Sequence, residues 1–282
     1  MLGGERCRLR PPTPTPMRST LFLASVLLAS SIAAPVAYSG SYFKNFSAFS
    51  SGTTNLGDGS TIASNDGVAS VQGSGSRYLR MTQNNSGGTG SSFKLPDLDP
   101  GQELESFTAS FLLQIGGTGS FADGLSLTFG AIPAGNGGGE SGFAVDDGLI
   151  IAWDTYNNGG DTPSVEVFSD GVSIGNFPHD YGSTAGDWVP VSLHWDSSGL
   201  DLSYDGDALA TNLATPGFVP SAGDRFAFSG RTGGANQNTY LDDVSFTTAT
   251  QTPISTGGPV ITEFVADNEG SLDDEELDRP DR

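Results

Sequence analysis

The sequence is short of cysteine, of long apolar runs and of helical periodicity, and each shortage excludes a class of protein. Its one cysteine, Cys7, lies near the start of the 282-residue chain, so a stabilising framework of disulfides is excluded. The longest apolar segment is well short of the about 20 residues that cross a bilayer as a helix. After residue 40, no segment of ordinary helix length places its apolar residues at helical spacing, which argues against a helical fold.

Positive charge is also scarce. The chain has 2 lysines among its 12 basic residues, against 33 acidic residues, and its formal net charge is −21. Such a balance repels polyanions, so we expect no nucleic-acid partner and no affinity for anionic membranes.

The first 37 residues resemble an export signal. Arg18 precedes the apolar stretch Leu21–Leu28, and small residues continue to Ala37. Cleavage after Ala33 and cleavage after Ser39 both fit this pattern, and Met17 is a plausible true start. We therefore expect a secreted or cell-surface protein with no membrane insertion of the mature chain. Without residues 1–37 it keeps 8 of the 12 basic and 32 of the 33 acidic residues.

Short runs of alternating apolar and polar residues, separated by Gly, Asn, Asp, Ser and Pro, dominate the rest of the sequence, which contains most of the 40 glycines. This pattern predicts an all-β fold, and so many antiparallel strands pack most naturally as a two-sheet β-sandwich with a jelly-roll path. The predicted strands are Tyr42–Phe49, Tyr78–Thr82, Phe107–Ile115, Leu125–Phe129, Leu149–Trp153, Val165–Phe168, Val191–Trp195, Leu200–Tyr204, Arg225–Ser229 and Tyr240–Thr247. Because Leu149–Trp153 is almost continuously apolar, we expect it to be buried on both faces.

Composition divides the chain into four parts. Residues 1–37 form the signal region, residues 38–247 the sandwich, and residues 248–258 a linker rich in Thr, Pro and Gly. Residues 259–282 carry nine acidic residues and two arginines, a composition that cannot build a core of its own.

One stretch after a predicted strand, DTYNNGGD at residues 154–161, admits two interpretations. Its carboxylate, amide and carbonyl oxygens are the hard ligands that calcium prefers. The same residues also form ordinary turns, because Asp and Asn side chains bond their own backbone. Neither histidine is close to this stretch in sequence, and the stretch contains no cysteine, so zinc or copper is not expected here.

Four blocks in series, ESFTASFLLQI, FADGLSLTF, a glycine cluster and LIIAWDTYNN, resemble the L-type (legume-like) lectin domain, which has a concanavalin A-like sandwich fold. The resemblance covers roughly residues 41–247 and implies binding of a glycan. It implies that Asp123, preceded by a cis peptide bond, accepts hydrogen bonds from sugar hydroxyls. It further implies that amides near Gly138 and Gly139 donate to the sugar, and that Tyr156 and Asn158 contact it.

The same resemblance implies a calcium site formed by Asp154, the Tyr156 carbonyl, Asn158 and Asp161. Two positions depart from the legume pattern. Ala152 and, approximately, Ser164 stand where legume lectins have a glutamate and a histidine for a second metal, so we expect that metal to be missing. The spacing between Asn158 and Asp161 is also shorter than in legume lectins.

Residues 259–282 are similar to the opening of a lamin-tail domain, an Ig-like fold. The similarity stops about where that domain would continue, so we interpret this part as the truncated start of such a domain.

Catalysis is not expected. Sandwich glucanases carry a Glu-x-Asp-x-x-Glu strand, whereas Glu166 stands alone and Glu103 and Glu105 lie in a loop-like segment. Neither His179 nor His194 sits in a nucleophile context. A calcium-dependent lectin-like module is therefore the first hypothesis. A structural or adhesive surface module without sugar binding is the second, and a hydrolase is a distant third.

Overall fold

The computed structural model describes residues 39–116, 121–139, 142–143 and 148–251, and all structural statements refer to these. The predicted export signal, most of the predicted linker and the lamin-tail-like segment lie outside them. The described residues include no helix long and apolar enough to span a membrane. Fifteen strands are numbered in chain order: β1 Ser41–Lys44, β2 Thr61–Ser64, β3 Ser70–Gln72, β4 Tyr78–Thr82, β5 Gly90–Lys94, β6 Leu104–Ile115, β7 Gly124–Gly130, β8 Gly148–Asp154, β9 Ser164–Ser169, β10 Val172–Pro178, β11 Trp188–Asp196, β12 Gly199–Tyr204, β13 Asp207–Leu213, β14 Arg225–Arg231 and β15 Thr239–Thr250.

The strands form two antiparallel sheets. An eight-stranded sheet has the order β13-β12-β11-β6-β15-β4-β3, with β1 also paired to β15. A seven-stranded sheet has the order β10-β9-β8-β7-β14-β5-β2. The prediction of an all-β antiparallel two-sheet sandwich is confirmed.

Each of the ten predicted strands corresponds to an observed strand, but the first prediction, Tyr42–Phe49, is too long, since β1 spans Ser41–Lys44. β1 ends at Lys44 because Phe46 adopts a positive φ of 56° and the Asn45 side chain accepts a bond from the Ser47 amide, which turns the chain. At the C-terminal end of the sandwich, β15 continues to Thr250, which is fully buried. The sandwich therefore extends beyond the predicted boundary at residue 247, and the first predicted linker residues belong to a strand.

The apolar run Leu149–Trp153 lies in the interior of the fold, as predicted. It forms most of β8, which pairs with β7 on one side and β9 on the other, and all seven residues of this strand are buried. Leu149, Ile151 and Trp153 face the core between the sheets. On the outer face, Ile150 packs in a second apolar cluster with Ile132 and Phe143, so the connection between β7 and β8 covers that side.

Aromatic rings fill much of the space between the sheets. Phe228, which is fully buried on β14, stacks on Phe93 at 6.2 Å and meets the edges of Phe111 and Phe246 at 4.9 and 6.2 Å. The described residues contain no cysteine, so packing of this kind, rather than disulfide bonds, holds the two sheets together.

Replacement of Phe228 by alanine should destabilise the protein by about 3–5 kcal/mol, because it leaves a cavity among three other rings. Phe43 is a matched control, since its side chain is 61% exposed on β1 and its replacement by alanine should cost less than about 0.5 kcal/mol. Urea unfolding followed by tryptophan fluorescence measures both. Equal losses for the two variants would contradict the assignment of the core.

Candidate functional site

Strand pairing brings the two segments that the sequence singled out to one end of the sandwich. Gly124, the first residue of β7, pairs with Asp154, the last residue of β8. One residue beyond each, the Thr155 amide donates to the Asp123 carbonyl at 3.1 Å. The predicted proximity of Asp123 to the 154–161 loop is therefore observed in the backbone itself.

Asp123 occupies a buried position at this rim. The Ala122–Asp123 peptide bond is cis, as the resemblance implied, and the residue is buried. Its Oδ2 atom lies 3.0 Å from Nε of Arg231, at the end of β14. A Cβ atom at Gly233 would lie 3.0 Å from the same carboxylate oxygen, so this glycine lets the chain pass close by. The carboxylate is thus held in one orientation by an ion pair and by close packing.

Gln237, which sequence reasoning missed, connects the two segments. Its Oε1 atom accepts hydrogen bonds from the Ala122 amide at 3.0 Å and from the Thr155 hydroxyl at 3.1 Å. Its amide nitrogen lies 3.3 Å from the Thr239 hydroxyl, and the side chain is buried. In sequence it is one polar residue in the GGANQN turn, and nothing local distinguishes it from its neighbours.

The glycine cluster lies on the outer face of the seven-stranded sheet, close to the same rim. Cβ atoms at Gly137 and Gly142 would overlap the hydroxyls of Ser229 and Ser126, so these glycines let the segment lie directly on β14 and β7. The predicted Gly138 and Gly139 are exposed between them.

The two predicted glycines differ in what their amides do. The Gly139 amide donates to the Gly142 carbonyl at 3.3 Å, so it is already engaged. The Gly138 amide has no hydrogen-bond partner among the described residues, and no atom crowds its Cβ position. Gly138 is therefore the better candidate for donating to a ligand.

The 154–161 loop is organised by Asp and Asn side chains that bond their own backbone. Buried Asp154 accepts from the Tyr156 amide at 3.0 Å, and Asn157 accepts from the Gly159 and Gly160 amides, both at 3.0 Å. Asp161 accepts from the Asn158 amide. The Tyr156 side chain is 39% exposed, so part of its ring is accessible to a ligand.

The four predicted calcium ligands fit a hard cation by their chemistry. They comprise two carboxylates, one side-chain amide and one backbone carbonyl within eight consecutive residues. The described part of the chain has no group of three or more His, Cys, Asp or Glu side chains placed to hold a metal ion. A cation in this loop would therefore depend on the amide and carbonyl oxygens as well as on the two carboxylates.

Two of the side chains weighed for catalysis, Glu166 and His194, lie on strands of different sheets. The Glu166 carboxylate accepts a hydrogen bond from the Asn176 side chain at 2.9 Å. His194 is partly exposed on the outer face of the eight-stranded sheet, 3.5 Å from Asp196. His194 therefore faces solvent rather than the core.

Comparison with known proteins identifies the fold. No family model and no curated protein matches the sequence, whereas many solved structures match the fold. Peanut lectin with a bound nonapeptide is 20% identical, with a TM-score of 0.53, and the match covers 77% of this chain and 100% of that one. Basic winged bean lectin with Tn-antigen is 16% identical, with a TM-score of 0.56, and the match covers 76% of this chain and 99% of that one. The Emp46p carbohydrate recognition domain in its potassium-bound form is 15% identical, with a TM-score of 0.52. That match covers 73% of this chain and 95% of the Emp46p domain. The chain therefore has the concanavalin A-like sandwich fold of legume and L-type lectins.

Replacement of Arg231 by glutamine should destabilise the protein by about 1–2 kcal/mol, because it removes the cation beside a buried carboxylate. This loss of stability is smaller than the about 3–5 kcal/mol expected when a fully buried ion pair is broken, because the Arg231 side chain is partly exposed to water. Arg225→Gln, at the opposite end of β14, is the matched control and should change the free energy of unfolding by less than about 0.5 kcal/mol. Urea unfolding compares the two, and equal effects would show that the Asp123 pair has no special role.

Proposed function

We propose that this protein is a secreted, non-catalytic glycan-binding module whose site lies at the rim formed by Asp123, the glycine cluster and the 154–161 loop. The observation that supports it best is the convergence of these three segments, which are separated along the chain by β7 and β8. The glycine cluster rests on Ser126 and Ser229, each two residues along its strand from Gly124 and Arg231 at the rim.

The groups at this rim suit a hydroxylated ligand. The oriented Asp123 carboxylate would accept hydrogen bonds from sugar hydroxyls, and the Gly138 amide would donate to one. Tyr156 would place its accessible ring against the apolar face of the sugar, with Asn158 beside it. The solved structures named above include a lectin with Tn-antigen and a carbohydrate recognition domain, which supports the same ligand class.

Calcium is the cation we propose for the loop, held by Asp154, the Tyr156 carbonyl, Asn158 and Asp161. When bound, it would supply positive charge between two carboxylates. Backbone amides of the same loop hold both carboxylates, since Asp154 accepts from Tyr156 and Asp161 from Asn158. The Emp46p domain, which has the same fold, is described in a potassium-bound form. A weak calcium site would be filled outside the cell, where extracellular modules bind the ion at about 10⁻⁴–10⁻³ M.

A structural or adhesive module without a sugar site is the second candidate. It is favoured by the side-chain-to-backbone bonds of Asp154, Asn157 and Asp161, which organise the loop as a turn. The two candidates differ in whether any glycan binds.

A glycan array probed with the purified protein should show binding in calcium and weaker binding in chelator. Tyr156→Ala should lower the affinity for the bound glycan about fivefold, because a ring stacked on a ligand contributes about 1 kcal/mol. Phe43→Ala, which removes an exposed ring on the other sheet, should leave binding unchanged. An array with no bound glycan would favour the adhesive module.

Calcium should raise the melting temperature, and Asp154→Ala should remove most of the effect. At about 100 times its dissociation constant, a ligand specific to the folded state adds about 2.7 kcal/mol, a shift of several degrees at this size. Asp187→Ala, which removes a carboxylate from an exposed turn, should keep the full shift. Identical melting temperatures in calcium and in chelator would assign DTYNNGGD to an ordinary polar turn.

A further inference from the structure

A pocket of about 400 Å³ opens beside the proposed glycan site. It lies between the 154–163 connection and the segment that follows β10, which are joined where the His179 amide donates to the Pro163 carbonyl at 2.9 Å. Thr155 is part of its wall, and the Thr155 amide is bonded to the Asp123 carbonyl. The pocket therefore adjoins the segment that joins Asp123 to the 154–161 loop.

The walls of this pocket, which we call the flanking pocket, are of two kinds. One part is apolar and is formed by Phe121, Pro163, Pro178 and the ring of Tyr181. The other part carries hydrogen-bonding groups and is formed by Thr155, Thr162, His179 and Asp180. A pyranose ring has the same division, since its C–H face is apolar and its hydroxyls lie around the edge. A ligand with an apolar face and a hydroxylated edge therefore matches both parts of the wall.

Asp180 supplies the strongest acceptor in the pocket. Its Oδ1 atom accepts from the Gly182 amide at 3.0 Å, which fixes the carboxylate, and the residue is exposed. Oδ2 has no hydrogen-bond partner among the described residues. A carboxylate held in this way accepts hydrogen bonds from ligand hydroxyls without losing side-chain entropy.

His179 adds an aromatic ring to the wall. Its ring packs edge-on against Tyr181 and Tyr204, each with ring centroids 4.8 Å apart. Its Nε2 atom is buried and has no hydrogen-bond partner within the described ranges. Burial lowers the pKa of this imidazole, although nearby Asp205, Asp180 and Asp207 oppose the shift. An imidazole without charge leaves Asp180 as the charged residue of the pocket, and a carboxylate disfavours an anionic ligand.

We infer that the flanking pocket is a second sugar subsite, which seats a neutral pyranose linked to the sugar held beside Asp123. The inference rests on the proposed function and deepens it, because it makes the ligand an oligosaccharide rather than a single sugar. The pocket volume lies within the roughly 300–1,000 Å³ of ligand sites, towards their lower end, as a single additional ring requires.

Isothermal titration of the protein with paired sugars tests this subsite. The pairs are mannose and mannobiose, galactose and lactose, and glucose and cellobiose. For the sugar type that binds, the disaccharide should bind at least about tenfold more tightly than the monosaccharide, because a hydrogen bond to a charged group is added. Asp180→Asn should abolish most of this difference and leave monosaccharide affinity unchanged.

Two further variants serve as a second test of the pocket and as a control for the change of charge. Thr162→Trp places a bulky side chain in the pocket from an exposed position, and it should also remove the preference for the disaccharide. Asp187→Asn makes the same change of charge on the following turn, outside the pocket, and should behave as the wild type.

The outcomes separate the two proposals. Monosaccharide binding with no gain for any disaccharide, or a gain that survives both Asp180→Asn and Thr162→Trp, overturns the subsite while the glycan site stands. Absence of binding for all six sugars and on the array overturns the glycan site, and the subsite with it.

Discussion

The register between β7 and β8 is the constraint on which the proposed site depends. It places Gly124 opposite Asp154, and the hydrogen bond from Thr155 to Asp123 extends the pairing past the ends of both strands. A shift by one residue would turn the side chains of a buried strand to the opposite face. Leu149, Ile151 and Trp153 must face the core, so the burial of β8 fixes the position of the loop that follows it.

Around this pairing, the rim is built from contacts between distant parts of the chain. Gln237 accepts bonds from the segments on both sides of the β7–β8 pair, and Arg231 holds the Asp123 carboxylate. These groups define the proposed site before any ligand binds. Pre-organisation of this kind lowers the entropy cost of binding, which suits a shallow site that offers a sugar few contacts.

Much of the fold follows from the sequence because most interior strands alternate or are continuously apolar. Five strands were missed: β2, β3, β5, β10 and β13. Four of them form the edges of the two sheets, and β5 lies beside one of these edges. Edge strands bury fewer side chains and are kept polar, which weakens their alternation. In β5, two of the three buried residues are serines, so no apolar pattern marks it.

The site was less accessible to sequence reasoning. Asp123 and the 154–161 loop could be singled out because a family resemblance covers them and because oxygen ligands crowd one short stretch. Gln237 could not, since its partner Ala122 lies 115 residues away and its own turn carries no signal. The Asp180 carboxylate was missed for a similar reason, because the flanking pocket forms only when the segment after β10 meets the loop after β8.

The central claim is that a glycan binds at the rim shared by Asp123 and the 154–161 loop. A crystal structure of the protein grown with calcium and an oligosaccharide selected on the array tests it most directly. We expect a sugar within hydrogen-bonding distance of Asp123 and Gly138, in contact with Tyr156. Sugar density elsewhere, for example on the partly exposed rings of Tyr78, Trp188 and Tyr240 on the outer face of the other sheet, with an empty rim, would contradict it.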